Sequence, residues 1–362
     1  MSYCLHRQHD VPCDDVARKD MSYVEIMVAL ARTFQSEFNK GTLNVTVERF
    51  LSDEEKDSCS ETLVAIAKVS HCLPEGSRVV MKWYFATDSD VTNESRIYSC
   101  AVYNLVQSLG HPCFAHPLCV ASPGTVKNKN LIRKVRGKMR ELHDADELHD
   151  DDDVGFVMTE HCGSHTFRDH CYEEYNTQLD FNFYSGVIQM IRALDAMSAN
   201  DLIHEDLHFG NVMFPEYWEV RGKGPNTVTI KAEGREDLVL GVENRLVKIF
   251  DWDHSLDENS EEFRKDSWKW RKFHDKIGFL RQMNNILYFL ENDVLPDKLM
   301  RDFDTVVTNT GFDHVTSADQ VEQIDFEDLK VWVSEALLQF ERFAFKNISR
   351  LRVASRESDS SS

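Results

Sequence analysis

Leu202-Ile203-His204-Glu205-Asp206-Leu207-His208-Phe209-Gly210-Asn211-Val212-Met213-Phe214 is the stretch from which the rest of the chain can be read. It sets Asp206 and Asn211 five positions apart. Before it, helical spacing runs through Phe183, Val187, Ile191, Leu194 and Met197 and stops at the turn Ser198-Ala199-Asn200-Asp201. After it comes a short apolar run. The pattern predicts a polar loop carried between a helix and a strand. Forty residues beyond Asn211, Leu246-Val247-Lys248-Ile249-Phe250-Asp251-Trp252-Asp253 brings another carboxylate to the end of a β-type run.

Composition limits what such a pair of segments can serve. The 362 residues hold 41 Lys and Arg against 62 Asp and Glu, a formal charge of −21. That field opposes a phosphate backbone, so no nucleic-acid partner is expected. A hydrophobic fraction of 42%, with 22 Phe and 6 Trp, fills a sizeable core. No run approaches the ~18 apolar residues of a membrane span, and the polar start Met1 to Asp20 has no signal-peptide core. The expectation is a soluble, intracellular chain, cytoplasmic or nuclear, with no membrane partner. Nine cysteines without a Cys-x-x-Cys pair fit that reducing setting. Three His/Cys groups invite a metal reading: Cys4, His6, His9 and Cys13; His111, Cys113, His116 and Cys119; and His161, Cys162, His165, His170 and Cys171. None has a recognised zinc-finger spacing, and a structural role is the simpler reading.

Outward from the central segment, Tyr23 to Phe38 has helical spacing. Thr42 to Leu51, Thr62 to Val69 and Arg78 to Phe85 read as strands, the last two joined by the turn Leu73-Pro74-Glu75-Gly76-Ser77. A helix fits Asn93 to Leu109, and Gly155 to Glu160 resumes as a strand. Seven basic residues between Lys127 and Arg140 and seven acidic ones between Asp144 and Asp153 suggest an exposed, charge-compensated insertion. Between Asn211 and Asp251, Thr227 to Ile230 marks an inserted hairpin. Later helices fit Asp275 to Leu290 and Phe326 to Ala344. The expected division is a tail and helix over 1–41, a small sheet-based lobe over 42–162 with the insertion 127–153, a mainly helical lobe over 163–354, and a disordered polar tail over 355–362.

A carboxylate such as Asp206 can accept a proton from a hydroxyl, while an amide oxygen and a second carboxylate hold magnesium on a nucleotide. That is the division of labour in phosphoryl transfer. At this point the chain resembles the protein-kinase-like superfamily over about Thr42 to Ala344. The loop His-x-Asp-Leu-His-x-Gly-Asn is similar to those of aminoglycoside and choline kinases and of haspin-type protein kinases. The layout is also similar to kinase-like proteins of large DNA viruses. The resemblance implies a bilobal α+β fold, a small antiparallel-sheet lobe and a mainly helical one, with ATP and Mg2+ as cofactors.

It further implies Asp206 as catalytic base, Asn211 and Asp251 as magnesium ligands, and His204 as a brace for the loop. His208 stands where ordinary protein kinases carry Lys and would donate to the γ-phosphate. Val79-Val80-Met81-Lys82-Trp83-Tyr84-Phe85 resembles the Val-Ala-Ile-Lys strand, so Lys82 would reach the α- and β-phosphates and pair with Glu94. Phe156 to Gly163 resembles the last small-lobe strand and hinge, with Met158 as gatekeeper and backbone groups of Glu160, His161 and Cys162 on adenine. Each residue has a plainer reading beside this one. Asp206 and Asn211 suit a capped turn, Lys82 an outward-facing edge, and Glu94 a helix N-terminus.

The chain departs from the pattern in places. Ser52 to Ser60, where a glycine-rich phosphate loop belongs, has no glycine and four acidic residues. Glu205 replaces the Arg that pairs with a phosphorylated loop, and Asp253 replaces the Gly of Asp-Phe-Gly. The leading expectation is a divergent Ser/Thr protein kinase acting on a protein substrate, basic in view of the acidic surface. A small-molecule kinase acting on an alcohol and a pseudokinase scaffold are the alternatives.

Overall fold

The computed structural model describes residues 23–51, 63–69, 78–85, 89–142, 153–173, 179–214, 227–232, 234–241, 244–260, 271–289 and 326–360. The glycine-free segment 52–60, the turn 73–77, most of the acidic run after 143, the N-terminal His/Cys group and the end of the tail, 361–362, lie outside them. The fold is mixed α+β. Among the described residues no helix is long and apolar enough to cross a membrane.

The chain forms two compact units, divided between Cys162 and Gly163, and Asp251–His254 belong with the first. The first is built on a five-stranded antiparallel sheet of β1 (Val45–Leu51), β2 (Leu63–Val69), β3 (Arg78–Phe85), β4 (Pro117–Ala121) and β5 (Val154–Glu160), in the order β1-β2-β3-β5-β4. Alternation decides which side chains enter the core: Val79, Met81 and Trp83 of β3 are fully buried, whereas Lys82 between them faces the other way. Because β3 is flanked by β2 and β5, Lys82 is not an edge residue. Strand β4 was not foreseen. Its five residues are all buried, an apolar run too short to announce itself beside the His and Cys that precede it.

Helix α1 (Tyr23–Lys40) buries Ile26, Met27, Leu30, Ala31 and Phe34, as their spacing predicts. It is part of this unit rather than a separate segment: the Gln35 amide donates to the Val120 carbonyl at 3.2 Å and accepts the Val120 N–H at 2.9 Å, tying it to β4. The helix expected over Asn93 to Leu109 starts earlier and changes pitch. It comprises α2 (Ser89–Ile97), a π-helical turn (Tyr98–Val102) and α3 (Tyr103–Leu109). Its first turn, Ser89 to Thr92, carries no apolar period, which is why the sequence pattern begins late. Gly110 closes α3 in the left-handed region, at φ 63°. The basic half of the expected insertion is a helix, α4 (Lys129–Leu142), and it is not wholly exposed, because Val135 and Met139 are fully buried. Its apolar positions are four apart, one face of a helix, and the basic residues occupy the remainder.

The second unit contains α5 (Phe167–Glu173), α6 (Phe181–Ala199), the two-residue strands β6 (Val212–Met213) and β9 (Lys248–Ile249), β8 (Leu238–Gly241) with the last two residues of its hairpin partner β7 (Thr227–Ile230), and helices α7 (His274–Phe289) and α8 (Phe326–Ser360). Asp180 caps α6, accepting the Phe183 N–H at 2.7 Å. Fully buried Arg192 of α6 meets Glu341 of α8 at 3.0 Å, and Arg235 meets the other oxygen of Glu341 at 2.9 Å. Helix α8 continues through Ser360, beyond Ala344 and into the stretch expected as a polar tail. Ile348 is still buried, and beyond it Arg, Ala and Glu keep good helix propensity as the apolar spacing thins.

Candidate active site

In the first unit, β3, α2 and the segment after β9 bring four charged groups together. Lys82 Nζ lies 3.0 Å from Glu94 Oε2, 2.9 Å from Asp251 Oδ1 and 3.7 Å from Asp253 Oδ2. The expected pair of Lys82 with Glu94 is present, and Glu94 sits in the second turn of its helix, not at its N-terminus. Asp253, read from the sequence only as a departure from a motif, adds a third carboxylate. With every group ionised, one ammonium and three carboxylates leave a formal −2.

The environments differ. Glu94 is 1% exposed, and burial pushes its carboxyl up to about 7 against the pull of Lys82. Burial works against the Lys82 ammonium too, but Glu94, Asp251 and Asp253 outweigh it and hold Lys82 well above its ordinary range. Asp251 is left-handed at φ 66°, a region costly for a side chain with a Cβ. The next residue is held from α2: the Trp252 N–H donates to Glu94 Oε1 at 3.3 Å.

In the second unit, the Asp206–Asn211 loop is fixed from below. Asp275, at the start of α7, accepts the His204 N–H at 2.6 Å and the Glu205 N–H at 3.0 Å. The sequence showed Asp275 only as a helix start. His204 is fully buried, with Nε2 2.8 Å from the Phe250 carbonyl, consistent with its expected bracing role. Ile203 and Leu256 form a bridge with reciprocal 2.9 Å hydrogen bonds. Gln282 of α7 accepts the Phe209 N–H at 2.7 Å and donates to the Leu207 carbonyl at 3.1 Å. Glu205, left-handed at φ 64°, pairs with Arg271 at 2.9 Å.

Three side chains are presented by this frame: Asp206, His208 and Asn211. The Asn211 amide donates to the Asp206 backbone carbonyl at 3.0 Å and to Asp206 Oδ2 at 3.3 Å, so its oxygen is the atom left to bind elsewhere. Asp206 and His208 side chains are both about half exposed, at 49% and 50%. His208 Nδ1 accepts the Gly210 N–H at 3.0 Å, which places the proton of the neutral ring on Nε2, 3.9 Å from Asp206 Oδ2. Gly210 permits this approach, because a Cβ there would lie 2.8 Å from the His208 ring. The loop is a capped turn, as the plainer reading has it, and it presents a carboxylate, an imidazole and an amide together.

Near the end of β5, Met158 is fully buried, while Glu160 is drawn into the fold. Its N–H donates to the His116 carbonyl at 3.1 Å, and its carboxylate accepts the His116 N–H at 2.9 Å. Of the backbone edge expected at Glu160 to Cys162, the Glu160 N–H is therefore already engaged. His161 is held below its ordinary range by burial and by Arg78 and Arg49. No group of three or more His, Cys, Asp and Glu side chains converges on a cation position among the described residues. Cys113 and Cys119 are buried, and His170 faces Asp180 at 3.3 Å.

No family model and no curated protein matches this chain. The site is therefore judged on its own chemistry. Asp275→Ala orphans two buried N–H groups beneath the loop. It should lower the unfolding free energy by about 3 kcal/mol, read from urea denaturation, and Asp275→Asn, which keeps one acceptor, should cost less.

Proposed function

We propose that the chain is an ATP- and magnesium-dependent phosphotransferase with a bilobal protein-kinase-like arrangement, carrying the γ-phosphate to a hydroxyl, most directly a serine or threonine side chain of a protein. The observation that carries this reading is the Lys82–Glu94–Asp251 arrangement. A buried ion pair is a poor device for stability alone, since desolvation offsets most of its attraction. A strand ammonium with an excess of carboxylates suits a ligand that brings both phosphates and a divalent cation.

The donor set fits magnesium. Asn211 offers its amide oxygen and Asp251 a carboxylate that is 34% exposed, both hard oxygen ligands. Among the described residues protein groups alone form no cage for a cation, which is the usual case when magnesium takes its remaining ligands from water and substrate phosphates. Bound with the nucleotide, magnesium offsets the charge of the phosphates. Lys82 orients the α- and β-phosphates, and Glu94 holds Lys82. Asp206 accepts the proton of the attacking hydroxyl, and the Asn211 amide keeps its carboxylate turned toward it. His208 Nε2–H donates to the transferred phosphate. Backbone groups at His161 and Cys162, beyond Met158, take the adenine edge.

A small alcohol is the second acceptor class, favoured by the half-exposed setting of Asp206 and His208. Incubation with radiolabelled ATP and magnesium, a panel of basic proteins and a panel of small alcohols separates the two. Label on protein serine or threonine supports the first reading, and label on alcohols alone supports the second. Transfer to neither, with no label released from ATP, rejects both.

A further inference from the structure

Helix α4 runs against the charge of the chain that carries it. Lys127 through Glu141 hold seven Lys and Arg and one carboxylate, a formal +6 on a chain of −21. Steps of four, three and four put Lys129, Arg133, Arg136 and Arg140 on one helix face, over a rise of about 16 Å. Lys129, Arg133 and Arg140 are exposed, and Arg136 is half-buried. Gly137 lies four residues beyond Arg133, and a Cβ there would have nothing within 4 Å, so an incoming backbone meets open space. The helix itself is fastened. Asn128 accepts the Leu131 N–H at 3.1 Å, and Lys134 Nζ donates to the Val47 carbonyl of β1 at 3.4 Å.

Several anionic partners compete for such a face. An anionic bilayer is gripped by a helix that sinks an apolar side into it, but Val135 and Met139, on the far side of α4, are fully buried in the fold. Single-stranded nucleic acid relies on aromatic platforms for its bases, and α4 has no aromatic residue. A duplex extends well beyond the patch and would meet the acidic remainder of the chain. A short acidic peptide avoids that cost, because screening over about 8 Å at physiological salt confines its attraction to the patch. Extended, it sets alternate side chains about 7 Å apart on one side, close to the rises of roughly 4.5 to 6 Å between successive cations. We propose that the basic face of α4 is a docking surface for a short acidic segment of a protein partner, with carboxylates at alternate positions. None of its residues belongs to the proposed phosphate-transfer machinery, so this surface and that reading can fail separately.

Fluorescence anisotropy of the full chain with a labelled peptide of four Glu-Ser repeats measures the contact. Binding should saturate at low salt and weaken at least about tenfold at roughly 0.5 M salt. Arg133→Glu/Arg140→Glu should weaken it at least about tenfold, whereas Arg133→Lys/Arg140→Lys should stay within about threefold, because exposed point charges carry the attraction. A urea melt shows that both variants fold. Equal binding by wild type and the folded Glu variant overturns the proposal, and so does a wild-type chain that ignores the peptide. A short DNA duplex or phosphatidylserine vesicles bound more tightly than the peptide also overturn it, a comparison that needs only the wild-type chain. Binding that emerges only after the seven carboxylates between Asp144 and Asp153 are replaced by amides would give the face to the chain's own acidic run and reject an outside partner.

Discussion

Asp206→Asn should lower phosphate transfer about 10³-fold while leaving the fold in place. In the proposed mechanism Asp206 is the general base, and loss of such a base costs roughly 10²- to 10⁴-fold. The loop survives because most of its bonds do not involve that carboxylate. Asn211 still reaches the Asp206 carbonyl at 3.0 Å, Asp275 still holds the His204 and Glu205 amides, and Gln282 still grips Phe209 and Leu207. The side chain is 49% exposed, so no core volume changes. The measurement is initial rate with radiolabelled ATP, beside a urea melt of both proteins. Transfer at the wild-type rate by a folded variant would remove Asp206 from the mechanism.

Lys82→Met is expected to do two things at once. It removes the ammonium that the proposed function assigns to the phosphates, so ATP affinity measured by calorimetry should fall at least about tenfold. It also leaves Glu94, 1% exposed, and the Asp251 and Asp253 carboxylates without their ammonium. Breaking a buried pair from one side costs about 3–5 kcal/mol, because the remaining charge is stranded. Glu94 has an escape, since burial already lifts its carboxyl to about 7 and it can take up a proton. The loss of stability in Lys82→Met should therefore be larger at pH 8 than at pH 6, where Glu94 is neutral. The double variant Lys82→Met/Glu94→Gln should recover much of the stability at pH 8 and none of the nucleotide affinity. Equal melting of the single variant at both pH values would show that Glu94 is not the stranded charge. Unchanged ATP affinity would withdraw Lys82 from the nucleotide.

Local chemistry made much of this molecule legible in its sequence. Alternating apolar residues announced β1, β2, β3 and β5, and helical spacing announced α1, α6 and α7. The Lys82–Glu94 pair could be expected from the cost of a lone buried ammonium. The hidden parts depend on contacts between residues far apart in the chain. Asp275 and Gln282 serve a loop some seventy residues earlier, and an aspartate at a helix start looks like an ordinary cap. The π turn has no signature in the spacing of Ile97, Ala101 and Val102. β4 was lost among His and Cys residues whose spacing drew attention to metal, and the thiols there are buried.

The ion pair between Glu205 and Arg271 gives the Asp206–Asn211 loop a permanence that a regulated switch lacks. Both partners are encoded in the gene, so the charge on Glu205 is balanced as soon as the polypeptide is released and folded. No later covalent decoration is needed to balance it. Protein made in a host without partner enzymes should therefore carry the Glu205–Arg271 pair as soon as it folds.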